Sequence, residues 1–405
     1  MRPWEAAKGN RRMVIGQEIT VLGAGIGGLA AAIALAMRGA RVTVLEQADQ
    51  IREAGAGIQI SPNGLAVLES FGLGDAARAQ AVRSQGVTLM DGLSGRQVID
   101  MDLATHRPRQ TFLLLHRADL IAVLAERARA LGVTIETGQR VTGVRLEPDQ
   151  TVLSTEAGDR SADFAVGAGG LHSVLRPVLN GVRKPFFTGQ VAWRAIVPAE
   201  PGEVDLAKAR ARVFMGPGRH MVTYPLRGGR EINIVAVEER EAWAEEGWHH
   251  EDDPEALRRA FSQFAPGSRA LLDRVEQVNI WGLFRHPVAD QWHKHRAVIL
   301  GDAAHPTLPF MAQGAVMALE DAWVLAHCLA VAGLDEGPAL YQARRRSRVA
   351  RVIEAANGNA RNYHYANPVL RFMGHNALRL AGQFAPARMI GQFDWIYDVD
   401  VTREG

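Results

Sequence analysis

Asp302 and His305 are the side chains whose setting speaks most directly of chemistry. Ahead of them, Ala297 to Leu300 is a short apolar run of the kind that forms a buried strand. Gly301 to Gln313 carries Pro306 and Pro309 and reads as a loop, shaped by the fixed φ of its prolines. From Gly314 the residues Ala315, Ala318, Leu319, Ala322, Trp323 and Ala326 recur at helical spacing. A carboxylate accepts hydrogen bonds from hydroxyl groups, and the bare amides of a helix start favour negative charge. Taken alone, the stretch fits either a ligand cradle or an ordinary strand-to-helix connection with a turn aspartate.

A second group stands near the other end of the chain. Glu18 to Leu22 reads as a strand, followed at once by Gly23-Ala24-Gly25-Ile26-Gly27-Gly28 and an Ala/Leu-rich helix to Met37. Arg41 to Glu46 then reads as the second strand of a βαβ unit. Gly23 makes the tight turn, Gly25 lets backbone approach a pyrophosphate, and Gly28 packs helix against strand, with Ile26 inside the fingerprint. Glu46 closes the second strand, where a carboxylate binds a pair of ribose hydroxyls. The pattern predicts an adenine dinucleotide and leaves FAD or NAD open.

His220 and Tyr224 are four residues apart on a predicted strand, so they share a face with Val222. An imidazole and a phenol side by side suit hydrogen bonding to a hydroxyarene and removal of its proton. The competing expectation is a core tyrosine and a turn histidine. Arg194 could meet a substrate carboxylate or serve a structural ion pair. Arg117 opens a predicted helix, as a phosphate or ribityl contact or as a solvated first-turn charge.

The elements that must position these residues form an α/β protein. At 405 residues the chain is too long for one simple core, and its 47% hydrophobic and 22% charged residues are those of a globular protein. The net charge of +2 is too weak to argue for nucleic acid or an anionic membrane. The single cysteine, Cys328, excludes an internal disulfide and reads as a buried thiol. We expect no membrane span, no secretory signal, no metal and a cytoplasmic setting, with residues 1–17 a loose tail. Strand signals from Gln190 to Val237, separated by Gly/Pro turns, predict an antiparallel sheet grafted onto the first domain. Pro254 to Phe264 reads as one helix, and the run Arg344, Arg345, Arg346, Arg348, Arg351 as the solvated face of another.

Three separated segments, Gly23 to Gly28, Val166 to Ser173 (Val-Gly-Ala-Gly-Gly-Leu-His-Ser) and Gly301 to Pro306 (Gly-Asp-Ala-Ala-His-Pro), then fall into one pattern. With them the chain resembles the single-component flavoprotein aromatic hydroxylases. It is most similar to the branch of salicylate hydroxylase, 3-hydroxybenzoate 6-hydroxylase and 6-hydroxynicotinate 3-monooxygenase. The resemblance runs from Ile19 to about Tyr397 and includes Gly55 to Asn63 and Gly218 to Leu226.

The resemblance implies a Rossmann-like FAD-binding domain (18–78, 112–182, 285–340), an inserted antiparallel-sheet substrate domain (79–111, 183–284) and a C-terminal helical region (341–405). It implies FAD in the glycine-rich site, with NADH or NADPH as co-substrate and no second nucleotide domain. Asp302 would hold the ribityl chain, the amides of Gly314 and Ala315 would face flavin N1, and Arg117 would touch the cofactor. His220 and Tyr224 would handle the phenol, Arg194 and Pro309 would line the substrate, and His305 would either sit near the ring edge or fix its loop by a hydrogen bond to backbone. The implied reaction is hydroxylation of a small phenolic or hydroxypyridine carboxylate with O₂ and NAD(P)H through a flavin C4a-hydroperoxide. One position departs from the family, whose middle motif reads Gly-Ala-Asp-Gly; here Gly169 replaces the acid, which puts the nicotinamide interaction in doubt.

The alternatives are a flavin-dependent halogenase, a non-catalytic flavoprotein and a ubiquinone-type ring hydroxylase. Trp193 to Pro198 lacks the second tryptophan of the halogenase stretch, and no membrane-facing apolar segment is evident in the sequence. A monomer or homodimer is expected.

Overall fold

The computed structural model describes residues 14–51, 56–241 and 250–403, with only the backbone described at 359–362. The first 13 residues of the expected tail, and Gly55 of the family motif, lie outside them. Residues 14–17 are not loose: Val14 is buried, and the Gly16 amide donates to the Gly39 carbonyl at 2.9 Å.

Strands Glu18–Leu22, Arg41–Leu45, Thr134–Glu136, Phe164–Gly167 and Ala297–Ile299 pair in parallel, and His293–Lys294 adds an antiparallel edge. The spatial order puts Glu18–Leu22 between Arg41–Leu45 and Phe164–Gly167. Chain order therefore reverses beside the first strand, and ligands of open α/β sheets bind at such a switch point, beyond the carboxyl ends of the strands. The glycine loops after Leu22 and Gly167 both leave from there. The first helix, Ile26–Ala36, is buried nearly all round because it packs on this sheet and on the long helix that starts at Gly314.

The second layer is an eight-stranded sheet in which the four strands expected between Gln190 and Val237 all take part, as Phe186–Pro198, Ala211–Gly216, Arg219–Leu226 and Glu231–Glu239. It is not wholly antiparallel: Gly86–Asp91 pairs in parallel with Ala211–Gly216, joining an earlier stretch of chain to the insertion. The helix expected over Pro254 to Phe264 ends at Ala260, and a second helix, Pro266–Asp273, follows beyond the expected span, opened by Pro266.

The C-terminal half corrects two further expectations. The helix from Gly314 runs to Tyr363 with a break at Gly333, where φ is 75°. Its part Gly314–Gly358 is long and apolar enough to cross a membrane by length and composition, yet 67% of the apolar window is buried against the protein. That apolarity belongs to the core. Conversely, Pro368–Phe384 has an apolar outer face, with Val369, Leu370, Phe372, Met373, Leu380 and Phe384 exposed. No such face was evident from the sequence.

Candidate active site

At one end of the cleft between the two layers, three glycines each answer a different steric demand. Gly23 has φ of 105°, and a Cβ there would stand 2.9 Å from the Ala168 carbonyl oxygen. A Cβ on Gly28 would lie 1.9 Å from the Gly23 carbonyl oxygen, so the helix sits directly on the turn. Gly25, which caps the helix, faces open space. The result is a bare helix N-terminus with room in front of it, as a pyrophosphate requires. Glu46 accepts the Ala24 amide at 2.7 Å and the Ala48 amide at 2.9 Å, one on each carboxylate oxygen. Each oxygen keeps a further lone pair for a hydroxyl.

The cleft continues past Ile26 and Gly27 to Asp302, Gly314 and Ala315 and is lined also by Arg117, Arg194, His220, Tyr224 and Pro309. A Cβ on Gly27 would be 3.2 Å from the Ala318 Cβ, so two helix N-termini converge on one cavity. Asp302 is exposed towards the cleft while protein surrounds its other sides. Burial raises its pKa, opposed by His305 and Arg117. Ala312 takes the left-handed conformation, φ 54°, which turns the chain from the Pro309–Met311 turn into the Gly314 helix. A long groove with open space at a glycine, an exposed carboxylate midway and a second set of helix amides fits a dinucleotide from end to end.

Beneath this cleft lies an ionic cluster that overturns the expectation of a solvated face for Arg345 and Arg348, while Arg344, Arg346 and Arg351 are exposed as expected. Arg345 is 1% exposed. Its Nε donates to Asp321 at 2.7 Å, and its guanidinium pairs with Glu320 at 2.7 Å. Arg348 pairs with Glu320 at 2.8 Å and also donates to the carbonyls of Trp395 and Ile396. Glu320 accepts from Asn63 at 2.7 Å, and Asn63 and Ser61 are linked in turn to Gln313, just before Gly314.

His305 belongs to this cluster and not to the ring edge, the first of the two roles expected for it. It is 1% exposed, lies outside the lining of both cavities, and its Nε2 is 2.5 Å from Asp321. The same Asp321 oxygen accepts the Gly301 amide at 3.1 Å, so the cluster fixes the backbone on either side of Asp302. His305 thus holds its loop, the second of its expected roles, through the Asp321 carboxylate instead of backbone.

A second cavity, about 550 Å³, adjoins the first and shares Gln59, His220, Val222, Pro309 and Ala312 with it. His220 and Tyr224 do lie on one strand face with Val222, and both are nearly fully buried. The Tyr224 ring closes on Gly57, where an added Cβ would stand 2.6 Å from it. Burial pushes the Tyr224 phenol above its ordinary range, offset in part by Arg194, so it remains a donor. The Arg194 guanidinium lies over the Trp281 ring at 4.3 Å, on the first cavity only.

Two residues that sequence reasoning missed complete the group. His220 Nδ1 is 2.6 Å from His364 Nε2, and His364 Nδ1 is 2.8 Å from a Glu239 oxygen. The Glu239 side chain is 53% exposed. Burial holds His220 well below the ordinary histidine range, with His364 adding to this. Burial lowers His364 too, against the pull of Glu239. No local signal links positions this far apart, although Tyr363-His364-Tyr365 is an unusual cluster of polar rings after a long helix.

Residues 17–356 match a family described as an FAD binding domain. The chain is 35% identical over 356 residues to 3-hydroxybenzoate 6-hydroxylase of Klebsiella oxytoca, covering 85% of this chain and 88% of the relative. The chain belongs to the FAD-dependent aromatic hydroxylases. A second relative, 6-hydroxynicotinate 3-monooxygenase of Pseudomonas fluorescens, is 33% identical over 351 residues, 84% of the hydroxylase and 90% of the relative. Among solved structures, Klebsiella pneumoniae HpxO complexed with FAD and uric acid superposes with a TM-score of 0.80 at 25% identity, covering 93% and 95% of the two chains. The hydroxylase is thus a flavoprotein monooxygenase that uses FAD and a reduced nicotinamide, and the halogenase and non-catalytic alternatives fall away.

Proposed function

We propose that the hydroxylase inserts oxygen into a phenolic ring whose hydroxyl group lies at His220, and that His364 and Glu239 carry the phenol's proton to solvent. One observation carries this reading: the unbroken sequence His220, His364, Glu239, from a buried cavity wall to an exposed carboxylate. Its direction follows from donor and acceptor arithmetic. Glu239 as a carboxylate only accepts, so His364 carries its proton on Nδ1 and accepts on Nε2. His220 must then donate from Nδ1, which leaves its Nε2 as a lone pair on a residue lining both cavities. The phenol gives its proton to that Nε2, His220 passes its Nδ1 proton to His364 Nε2, and His364 passes its Nδ1 proton to Glu239. No imidazolium need persist in the buried site. The phenolate left behind is the more electron-rich ring.

Bound FAD supplies the redox chemistry, accepting a hydride from the nicotinamide and delivering one oxygen atom of O₂. The chain's own residues hold and shield it. Gly23, Gly25, Ile26, Gly28 and Glu46 would take the adenosine and pyrophosphate end, and Asp302 and Arg117 the ribityl chain. The Gly314 and Ala315 amides would stabilise negative charge on the reduced ring. Pro309 and Tyr224 would stand between cofactor and substrate, whereas Arg194 belongs on the cofactor side. The relatives' names make hydroxybenzoates and hydroxypyridine carboxylates the first panel. NAD(P)H oxidation with that panel and with uncharged phenols of one and two rings, with products identified by mass spectrometry, tests the reading; no hydroxylated product from any of them would refute it.

Two variants test the cofactor assignments. Asp302→Ala is expected to lose most of its FAD during purification, since the only carboxylate that lines the cleft among the described residues is gone; full flavin content, read from the visible absorbance of the pure protein, would contradict it. Gly169 has φ of −75°, open to any residue, and a Cβ there would stand 3.3 Å from the Ser173 Cα. Gly169→Asp is therefore expected to fold and to be reduced faster by NAD(P)H in stopped flow. No gain would separate this position from nicotinamide binding.

The reading includes the division of the chain into the three regions given above, with one amendment. The boundary at 340/341 falls inside a helix, and Gly333 is the better place for it. A soluble cytoplasmic enzyme, monomeric or homodimeric, acting without nucleic acid or membrane, is part of the same proposal.

A further inference from the structure

The larger cavity has no lysine, arginine, aspartate or glutamate in its lining among the described residues. Its walls are Val213 and Met215 from the sheet, Leu378 from the helix Pro368–Phe384, and Phe112, Phe393 and Tyr397 at the far end. Phe112 and Tyr397 meet edge to face at 5.0 Å. The two histidines in the lining, His220 and His375, are both held below the ordinary histidine range by burial, so neither offers a cation at neutral pH. A carboxylate placed here would be buried without a cation to pair with, since the other polar side chains in the lining, Gln59, Ser61, Tyr363, Tyr365 and Gln392, are neutral. Arg194 does not supply one, because it stacks on Trp281 in the cleft that the cofactor occupies.

Size points the same way. A cavity of about 150 Å³ is enough for benzene, and this one measures about 550 Å³. A single-ring acid would leave most of the apolar wall in contact with nothing.

We infer that the hydroxylase takes an uncharged hydroxyarene larger than one ring, a fused bicyclic phenol or a phenol with an apolar substituent, its hydroxyl at His220 and its body against Leu378, Phe112 and Phe393. The inference rests on the proposed role of His220 for its orientation, and on the cavity alone for its substrate class.

The test uses the FAD-loaded enzyme with phenol, 3-hydroxybenzoate, 2-naphthol and 4-hexylphenol as probes. Dissociation constants come from the perturbation of flavin absorbance, and products from mass spectrometry with NAD(P)H and O₂ present. The expected result is that 2-naphthol or 4-hexylphenol binds at least about tenfold more tightly than 3-hydroxybenzoate. Leu378→Trp, on a half-buried helix position, should shrink the preference for 2-naphthol over phenol by a similar factor. Tighter binding of 3-hydroxybenzoate than of either large phenol overturns the inference, as does a preference untouched by Leu378→Trp. If large phenols bind tightly and no probe is hydroxylated, the proposed function fails while the substrate class of the cavity stands.

Discussion

His220→Gln is expected to lower kcat for ring hydroxylation by about 10²–10⁴-fold, the usual contribution of a positioned general base, while FAD content is unchanged. Glutamine keeps a donor and an acceptor at the cavity wall but cannot take a proton. His364→Phe should fall in the same direction by less, because His220 can still accept a proton and cannot hand it on. The pH profile carries a second sign. His220 is the acceptor when neutral, and burial keeps its pKa well below the ordinary value of about 6.5. The acid limb of kcat/KM therefore lies below that pH, and in His220→Gln it disappears along with most of the rate. A limb near neutrality, or a glutamine variant as fast as the wild type, would remove His220 from the role. The same depressed pKa has a cost in stability: folding keeps the ring neutral, so its contribution is complete above about 6.5 and falls as pH drops towards the folded value.

Asp321→Ala is expected to destabilise the protein by about 3–5 kcal/mol, the loss typical of a buried ion pair deprived of one partner. Asp321 receives Arg345, His305 and the Gly301 amide at once, and neither Arg345 nor His305 has a solvated alternative. Burial alone would raise the Asp321 pKa, but His305 and Arg345 outweigh it and bring it down to about 2. Its stabilising charge is thus present above the ordinary carboxylate range and lost as pH falls through about 2. Urea unfolding of the FAD-free and FAD-loaded forms measures the effect. The double variant Asp321→Ala/Arg345→Met should lose less than the two single losses added, since it removes both charges of one pair. Strict additivity would show that Asp321 and Arg345 do not act as a unit. Because the cluster also sets the backbone beside Asp302, the single variant should hold FAD less tightly than its stability alone predicts.

The glycine fingerprint was legible because every demand it meets is local. Gly23, Gly25, Gly28 and Glu46 lie on one strand-turn-helix-strand unit, where a turn, a bare helix start and a carboxylate follow from neighbouring residues. Asp302, Gly314 and Ala315 were legible for the same reason, and the alternation of His220, Val222 and Tyr224 announced a shared face. These are short-range consequences of backbone geometry, and they suffice for the α/β fold and the cofactor cleft.

The partner of His305 and the roles of Arg345 and His364 were not legible, because each is decided by a residue far away in the chain. On its own, a run of arginines on a helix is best satisfied by water. Only packing against Glu320 and Asp321, two acids in the largely apolar first turns of the helix, makes a buried arginine the better arrangement. His305 next to Asp302 suggested chemistry until Asp321 claimed its ring. His364 joins His220 only because the chain beyond the long helix folds back over the sheet. The same return closes the larger cavity, whose volume and lack of charge no periodicity in the sequence announces. Local stereochemistry thus determined that this protein has a dinucleotide cradle; long-range packing decided which charged groups would be buried, that His220 and not His305 lines the two cavities, and how large those cavities are.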